Sequence, residues 1–136
     1  MIRPYIEADE HDVIALWSLA FPDDPPWNDP SEVIRRKLTV QRDLFLICLV
    51  GDALVGTVLA GFDGVRGWVH KLAVHPDYQR RGIATRLMSA AEERLAALGC
   101  SKLNLQVRAS NAGTVDFYRR AGYAVEDRIS MSKRLG

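Results

Sequence analysis

Two hydrophobic periods alternate along this chain. Short runs rich in Val, Ile, Leu and aromatic residues predict strands at Ile2 to Ile6, Leu44 to Val50, Ala53 to Phe62, Trp68 to Val74 and Lys102 to Val107, with a last one inside Tyr123 to Arg134. Between them the spacing turns helical. Val13, Leu16, Trp17 and Ala20 form one apolar face, Val33, Ile34 and Leu38 a second, and Ile83, Leu87, Ala91, Leu95 and Leu98 a third. A short last helix is expected from Thr114 to Ala121, stopped by Gly122. Asp9 is placed to cap the first helix, Asp29 and Pro30 to open the second as N-cap and N1, and Gly99 to close the third. Gly51-Asp52 and Asp63-Gly64 are hairpin turns, and Gly56 marks a bend or bulge in its strand. The strand–helix–strand unit from Trp68 to Val107 is a crossover, so its two strands run parallel.

The stretch from Leu72 to Thr85 organises the rest. It reads as the end of a buried strand, a turn at Pro76 and Asp77, and a helix start near Gly82. The first N–H groups of a helix have no partner inside it and carry partial positive charge, which favours an anion such as phosphate. Gly82 lacks a Cβ and Ala84 is nearly as small, so a pyrophosphate has room to reach the backbone. Arg80, Arg81 and Arg86 add full charges nearby. Read from the residues alone, an ordinary crossover with a solvated basic turn is the commoner outcome for such a stretch, and a phosphate site the other. No Gly-Lys-Ser/Thr follows the glycine, and Gly-x-Gly-x-x-Gly is missing, so neither a P-loop nor a Rossmann fingerprint is present.

Composition narrows the class. The chain has 136 residues, enough for one domain with a real core, and 48% hydrophobic residues. A net charge of +1 gives no general attraction to nucleic acid or anionic membrane. Arg35, Arg36 and Lys37 read as a solvated helix face. Met1 to Glu10 holds no apolar run, so no secretory leader is expected, and Leu44 to Val50 is too short to span a bilayer. The two cysteines, Cys48 and Cys100, fit a reducing cytoplasm, with Cys48 in the core. Four prolines fall between Pro22 and Pro30, either as a stiff connector or as a lip of a substrate site walled by Trp27.

Gln79-Arg80-Arg81-Gly82-Ile83-Ala84 resembles the Gln/Arg-x-x-Gly-x-Gly/Ala signature of the GNAT superfamily of acetyl-CoA-dependent N-acetyltransferases. A second match runs from Val107-Arg108-Ala109-Ser110-Asn111 to Phe117-Tyr118-Arg119-Arg120-Ala121-Gly122-Tyr123, with Asn and Tyr seven residues apart. The layout is similar to small bacterial YpeA-type members, and the Val-Arg-Ala-Ser-Asn stretch to ribosomal-protein N-terminal acetyltransferases. The resemblance covers nearly the whole chain and implies an α/β (α+β) GNAT fold, residues 1–136 as one domain. That fold has a mixed, mostly antiparallel central sheet, a splayed parallel strand pair and about four flanking helices. It implies acetyl-CoA as co-substrate, no metal, and a small-molecule or peptide amine as acceptor. Neither nucleic acid nor membrane is an expected partner, and a homodimer is compatible with the family. The family binds acceptors with its first helix–loop–helix region.

By the same resemblance, Leu72, Ala73 and Val74 pair with the pantetheine arm, and the Val74 N–H polarises the acetyl carbonyl. Gln79, Arg80, Arg81, Gly82, Ile83, Ala84 and Thr85 cradle the pyrophosphate, and Asn111 hydrogen-bonds the pantetheine. Tyr118 is the catalytic candidate for the leaving thiolate; read alone, it is a core tyrosine. Ribosomal-type relatives carry Glu where this chain has Gln106, and an amide cannot accept the proton. Other members place a Glu at the position of His70, whose neutral imidazole can take a proton directly or through water, although a lone strand histidine is also a structural residue. An α-amine, with a pKa of about 7.7–8.0 against about 10.4 for lysine, needs less help from a base, which leans the acceptor toward an α-amine. The competing reading is a regulatory module that binds acyl-CoA without turnover, kept open by Gln106. A nucleotide-binding protein of unrelated fold is a third.

Overall fold

The computed structural model describes residues 1–108 and 110–136, so Ala109 of the second motif lies outside the described residues. The chain divides into two units, Met1–Leu105 and Gln106–Gly136. The first holds a five-stranded sheet in the order β1-β2-β3-β4-β5. Its strands are β1 (Ile2–Pro4), β2 (Phe45–Val50), β3 (Ala53–Phe62), β4 (Gly67–Val74) and β5 (Leu103–Asn104), with helices α1 (Glu10–Ala20), α2 (Pro30–Lys37) and α3 (Ile83–Ala97). The first four strands pair antiparallel, and β4 pairs with β5 parallel, as the crossover requires. None of the helices formed by the described residues is long and apolar enough to cross a membrane.

The sheet is covered on both faces. Trp17 of α1 donates its indole N–H to Thr57 Oγ1 at 2.8 Å, so the Thr57 side of β3 faces α1. Gly56, the next residue, faces the other way. A Cβ there would lie 2.9 Å from Leu87 Cδ1, 3.1 Å from Ile83 Cγ2 and 3.3 Å from the Ala73 carbonyl, so its bare backbone is what lets α3 close on the sheet. The expected bulge lies beside it: Cys48 pairs with Gly56 and Leu49 with Leu54, leaving Val55 as the extra residue. On the α1 and α2 face, Val13, Leu16, Trp17 and Ile34 pack with Tyr5, Phe45, Ile47, Leu59 and Ala73. Tyr5 stacks on Phe45 with ring centroids 4.4 Å apart. Ile83, Leu87, Ala91 and Leu95 are buried beneath α3 as their spacing predicts, but Leu98 is exposed at the helix end.

Caps explain most of the boundaries. Asp29 accepts the Glu32 N–H at 3.3 Å, with Pro30 following as N1. Gly99 takes φ +91 and lets the Cys100 N–H reach the Leu95 carbonyl at 3.1 Å. Asp9 differs from expectation. Its carboxylate accepts the Ile6 N–H at 2.9 Å and pairs with Arg3 at 2.8 Å, so it fastens the chain before α1. Lys37 also departs from its expected solvated face. It is half-buried and donates to the Ala60 carbonyl at 2.5 Å, because its stem lies against the sheet at the end of α2.

β4 carries the feature that shapes the site. Thr57 pairs with Ala73 and Leu59 with His70, so Val58 faces two residues, Lys71 and Leu72. This bulge turns His70 and Ala73, three apart, onto one face. Lys71 takes φ +53, a left-handed conformation that non-glycine residues adopt only when their surroundings impose it. The imposing contact is visible: Thr57 Oγ1 donates to the Lys71 carbonyl at 2.9 Å while accepting from Trp17. Thr57→Val keeps the shape and removes both bonds, leaving the Trp17 N–H and the Lys71 carbonyl unpaired. It is expected to cost about 1–3 kcal/mol in denaturant unfolding, with Thr57→Ser closer to wild type.

The second unit contains α4 (Ala112–Arg120). The Asn111 side chain accepts the Thr114 N–H at 3.3 Å, which starts the helix two residues before the expected Thr114, and Gly122 at φ +96 ends it. The strand expected within Tyr123 to Arg134 is not formed by those residues. Glu126, Asp127 and Arg128 fall in succession there and break the two-residue alternation that a half-buried strand needs.

Candidate active site

The open edge of β4 comes first. The strand expected from Lys102 to Val107 is only Leu103–Asn104, paired with Gly67 and Trp68. From Val69 to Val74 no described strand pairs with that side of β4. The His75 N–H bonds the Val55 carbonyl at 2.8 Å, so it points toward β3. Successive N–H groups alternate in an extended strand, so the Val74 N–H points to the opposite, open edge. Ala73 is buried, with Leu72 and Val74 half-buried beside it. A strand edge with an outward donor at Val74 is suited to pair with an extended amide-bearing arm.

The turn beyond β4 fits a phosphate. After a 3-10 turn at Pro76–Tyr78, Gln79, Arg80 and Arg81 are exposed. Arg80 at φ +63 and Gly82 at φ +77 are both left-handed and swing the chain into α3. The Ile83 side chain is buried, while Thr85 is exposed and Ala84 half-buried. Gly82, as N-cap, has no side chain to occupy the N–H groups of Ile83, Ala84 and Thr85. A Cβ on Gly82 would have no atom within 4 Å, so the space in front of these donors is clear. The Arg81 guanidinium lies 5.0 Å from the Tyr78 ring centroid, which braces one of the two charges.

His70 lies across from Leu59, on the sheet face covered by α1 and α2. The residue is exposed, yet its pKa lies below the ordinary value, first from partial burial of the ring, then from the Lys37 and Lys71 ammonium charges. A lowered pKa keeps the imidazole neutral, and able to accept a proton, at neutral pH. If His70 takes the acceptor's proton, activity falls with acid along a limb below about pH 6.5, and His70→Gln removes that limb; a pH–rate profile reads this. Gln106 donates its amide to Ser130 Oγ at 2.5 Å, which leaves that position without basic character.

Asn111 and Tyr118 belong to the second unit. The Asn111 carboxamide oxygen serves the α4 cap, so its donor NH2 is the end suited to a ligand carbonyl. Tyr118 is buried, edge-on to Phe117 and to Tyr123 at 5.1 and 5.5 Å between centroids. Burial pushes its phenol up to about 12. The group therefore stays protonated through the working range and offers a hydrogen bond or a proton.

A cleft of about 300 Å³ opens at the Pro-rich loop, walled by Trp17, Phe21, Pro22, Asp24 and Pro25 among others. Trp27, the expected wall, is exposed and outside that lining; the buried Trp17 takes its place. Lys71, Asp24 and Thr57 are site-shaping residues that the sequence reading missed. The signal for them was present: His70-Lys71 sets two polar residues side by side in an otherwise apolar strand, which a regular alternation does not allow.

A mixed sheet whose parallel pair ends early leaves an open strand edge beside a helix N-terminus without a side-chain cap, an arrangement suited to an extended ligand that carries a phosphate. Residues 10–123 match the model of the Acetyltransferase (GNAT) family. A curated protein named an acetyltransferase, from Yersinia enterocolitica, is 43% identical over 136 residues, covering 98% of this chain and 94% of that one. Two solved structures share the fold. The aminoglycoside 6'-N-acetyltransferase of Acinetobacter haemolyticus has a TM-score of 0.80 and 20% identity, covering 100% of this chain and 99% of that one. A second aminoglycoside N-acetyltransferase, solved with a bisubstrate analogue of CoA and acetylneamine, has a TM-score of 0.80 and 16% identity, covering 98% and 97%. The chain belongs to the GNAT acetyltransferase family and is an acyltransferase.

Proposed function

We propose that this chain transfers the acetyl group of acetyl-CoA directly to a primary amine held in the same ternary complex, with an α-amine the favoured acceptor. Residues 1–136 act together as one cytoplasmic domain in this reading. The observation that carries it is the continuity of the open β4 edge with the cradle at Gln79 to Thr85: one strand end and the next helix start present donors suited to an arm and its pyrophosphate. Leu72, Ala73 and Val74 align the pantetheine, and the Val74 N–H polarises the thioester carbonyl. Asn111 steadies the arm. The amine nitrogen attacks the carbonyl carbon, the C–S bond breaks, and Tyr118 gives a hydrogen bond or proton to the departing sulfur. His70 takes the proton from the amine, directly or through water.

The solved relative that holds a bisubstrate analogue supports direct transfer, since donor and acceptor halves are joined in the molecule it binds. The chemistry of the residues supports a weakly basic acceptor, because no carboxylate stands at Gln106 or His70. The test is an initial-rate study of CoA release, read with a thiol reagent, over peptides with free N-terminal Ala, Ser or Met, lysine, polyamines and small amine drugs. Intersecting double-reciprocal lines with an N-terminal peptide are expected. Parallel lines, which report an acetylated enzyme, contradict direct attack. Acetyl-CoA binding without release to any amine favours the non-catalytic acyl-CoA module.

A further inference from the structure

Lys71 stands where a strand rarely keeps a lysine. Its φ of +53 at the β4 bulge turns the side chain inward, and only 14% of it is exposed. The ammonium pairs with the Asp24 carboxylate and lies 4.6 Å from the Phe21 ring centroid and 5.4 Å from that of Trp17. A carboxylate with two aromatic rings is the chemistry that recognises a primary ammonium ion. Trp17, Phe21 and Asp24 are also walls of the cleft at the Pro-rich loop. The same bulge carries the Trp17–Thr57–Lys71 hydrogen-bond chain, so strand, ring and loop meet at one residue.

We propose that the Lys71 ammonium is a built-in occupant of a cation site formed by Asp24, Phe21 and Trp17, which pins the Pro-rich loop to the β4 bulge and denies that site to a cationic group of the acceptor. Lys71 is thus a positioning and specificity residue. The acceptor part of this inference rests on the acetyl-transfer reading; the cation site and the pinned loop do not. The physical logic is competitive. Removing the Lys71 ammonium takes one cation from beside Asp24 and makes room there for a second, as on a polyamine. With Lys71 in place the pair is neutral, and the cleft selects an amine by its apolar body.

The test uses hydrogen exchange of residues 21–29 in the full chain. Lys71→Ala should speed exchange there by about tenfold or more, the scale of a lost hydrogen bond to a charged group. Millimolar n-propylammonium, which replaces the missing part of the side chain, should restore protection, while 1-propanol should not, and wild type should respond to neither. Lys71→Met, with its stem kept, should lose protection, and Lys71→Arg should retain most of it. In turnover with an amine accepted by wild type, Lys71→Met should change the amine KM and leave the acetyl-CoA KM alone, and should improve spermidine relative to an N-terminal peptide. Unchanged exchange in a folded Lys71→Ala or Lys71→Met, equal rescue by propanol, or a parallel change in both KM values would overturn the proposal. If no amine is turned over, the acetyl-transfer reading fails while the exchange result still decides the cation site.

Discussion

Replacing Tyr118 with phenylalanine is expected to lower kcat by about 10²-fold or more and to leave acetyl-CoA affinity unchanged. The reason lies in one proton. The CoA thiol, with a pKa of about 8.5 like cysteine, leaves as a thiolate that is poorly stabilised away from water. A phenol held protonated at a pKa of about 12 is a hydrogen-bond donor at every working pH, and burial strengthens what it gives. Phenylalanine keeps the ring, and with it the edge contacts to Phe117 and Tyr123, while losing only the hydroxyl. Steady-state rates beside calorimetric titration of acetyl-CoA separate the two effects. Because the phenol titrates so high, Tyr118 should add no limb to the wild-type pH profile between about pH 6 and 9. A fall in affinity with kcat intact would make Tyr118 a packing residue. A wild type that never turned over would have no rate to lose, which is the mark of the acyl-CoA module.

The second large effect is expected at Gly82. Valine there puts a branched side chain into the clear space before the α3 N–H groups and forces a β-branched residue to φ +77. Acetyl-CoA affinity should drop by about tenfold or more, the loss of one charge-assisted hydrogen bond to phosphate. Strain alone could also weaken a protein, so the control is Gly64→Val. Gly64 sits at φ +97 in the β3–β4 turn with open space around it, and the same change there costs stability without touching the cradle. Equal losses of acetyl-CoA binding in both variants would show that the effect is unfolding and would remove the cradle from Gly82.

Most of the frame was legible because its causes are local. Period and caps place β3 at the residues expected, Ala53 to Phe62, and put the α2 start at Asp29 and Pro30. What was not legible depends on partners distant in sequence. Asp9 looks like a helix cap until Arg3 and the Ile6 N–H engage it from the other side. Lys37 looks solvated because nothing local shows that the Ala60 carbonyl lies within its reach. The expected strand at Lys102 to Val107 shrank because apolar alternation does not say where a neighbour ends. The helix start at Gly82 was readable from the residues around it, whereas nothing in the Pro-rich stretch showed that Trp17 rather than Trp27 lines the cleft there. Trp17 sits in a clean helical period and looked like core alone; its N–H to Thr57 and its place beneath Lys71 come only from the folded chain.

In the proposed reaction, acetyl moves from acetyl-CoA to an amine in one step. The most direct measurement is a single turnover with acetyl-CoA labelled in the acetyl carbonyl, enzyme in excess, and an N-terminal Ala or Ser peptide. With direct attack, label leaves acetyl-CoA and appears on the peptide nitrogen in step with CoA release, with none held on the protein at any time. Label retained in acetyl-CoA that is demonstrably bound, with this and every other amine of the panel, would contradict it.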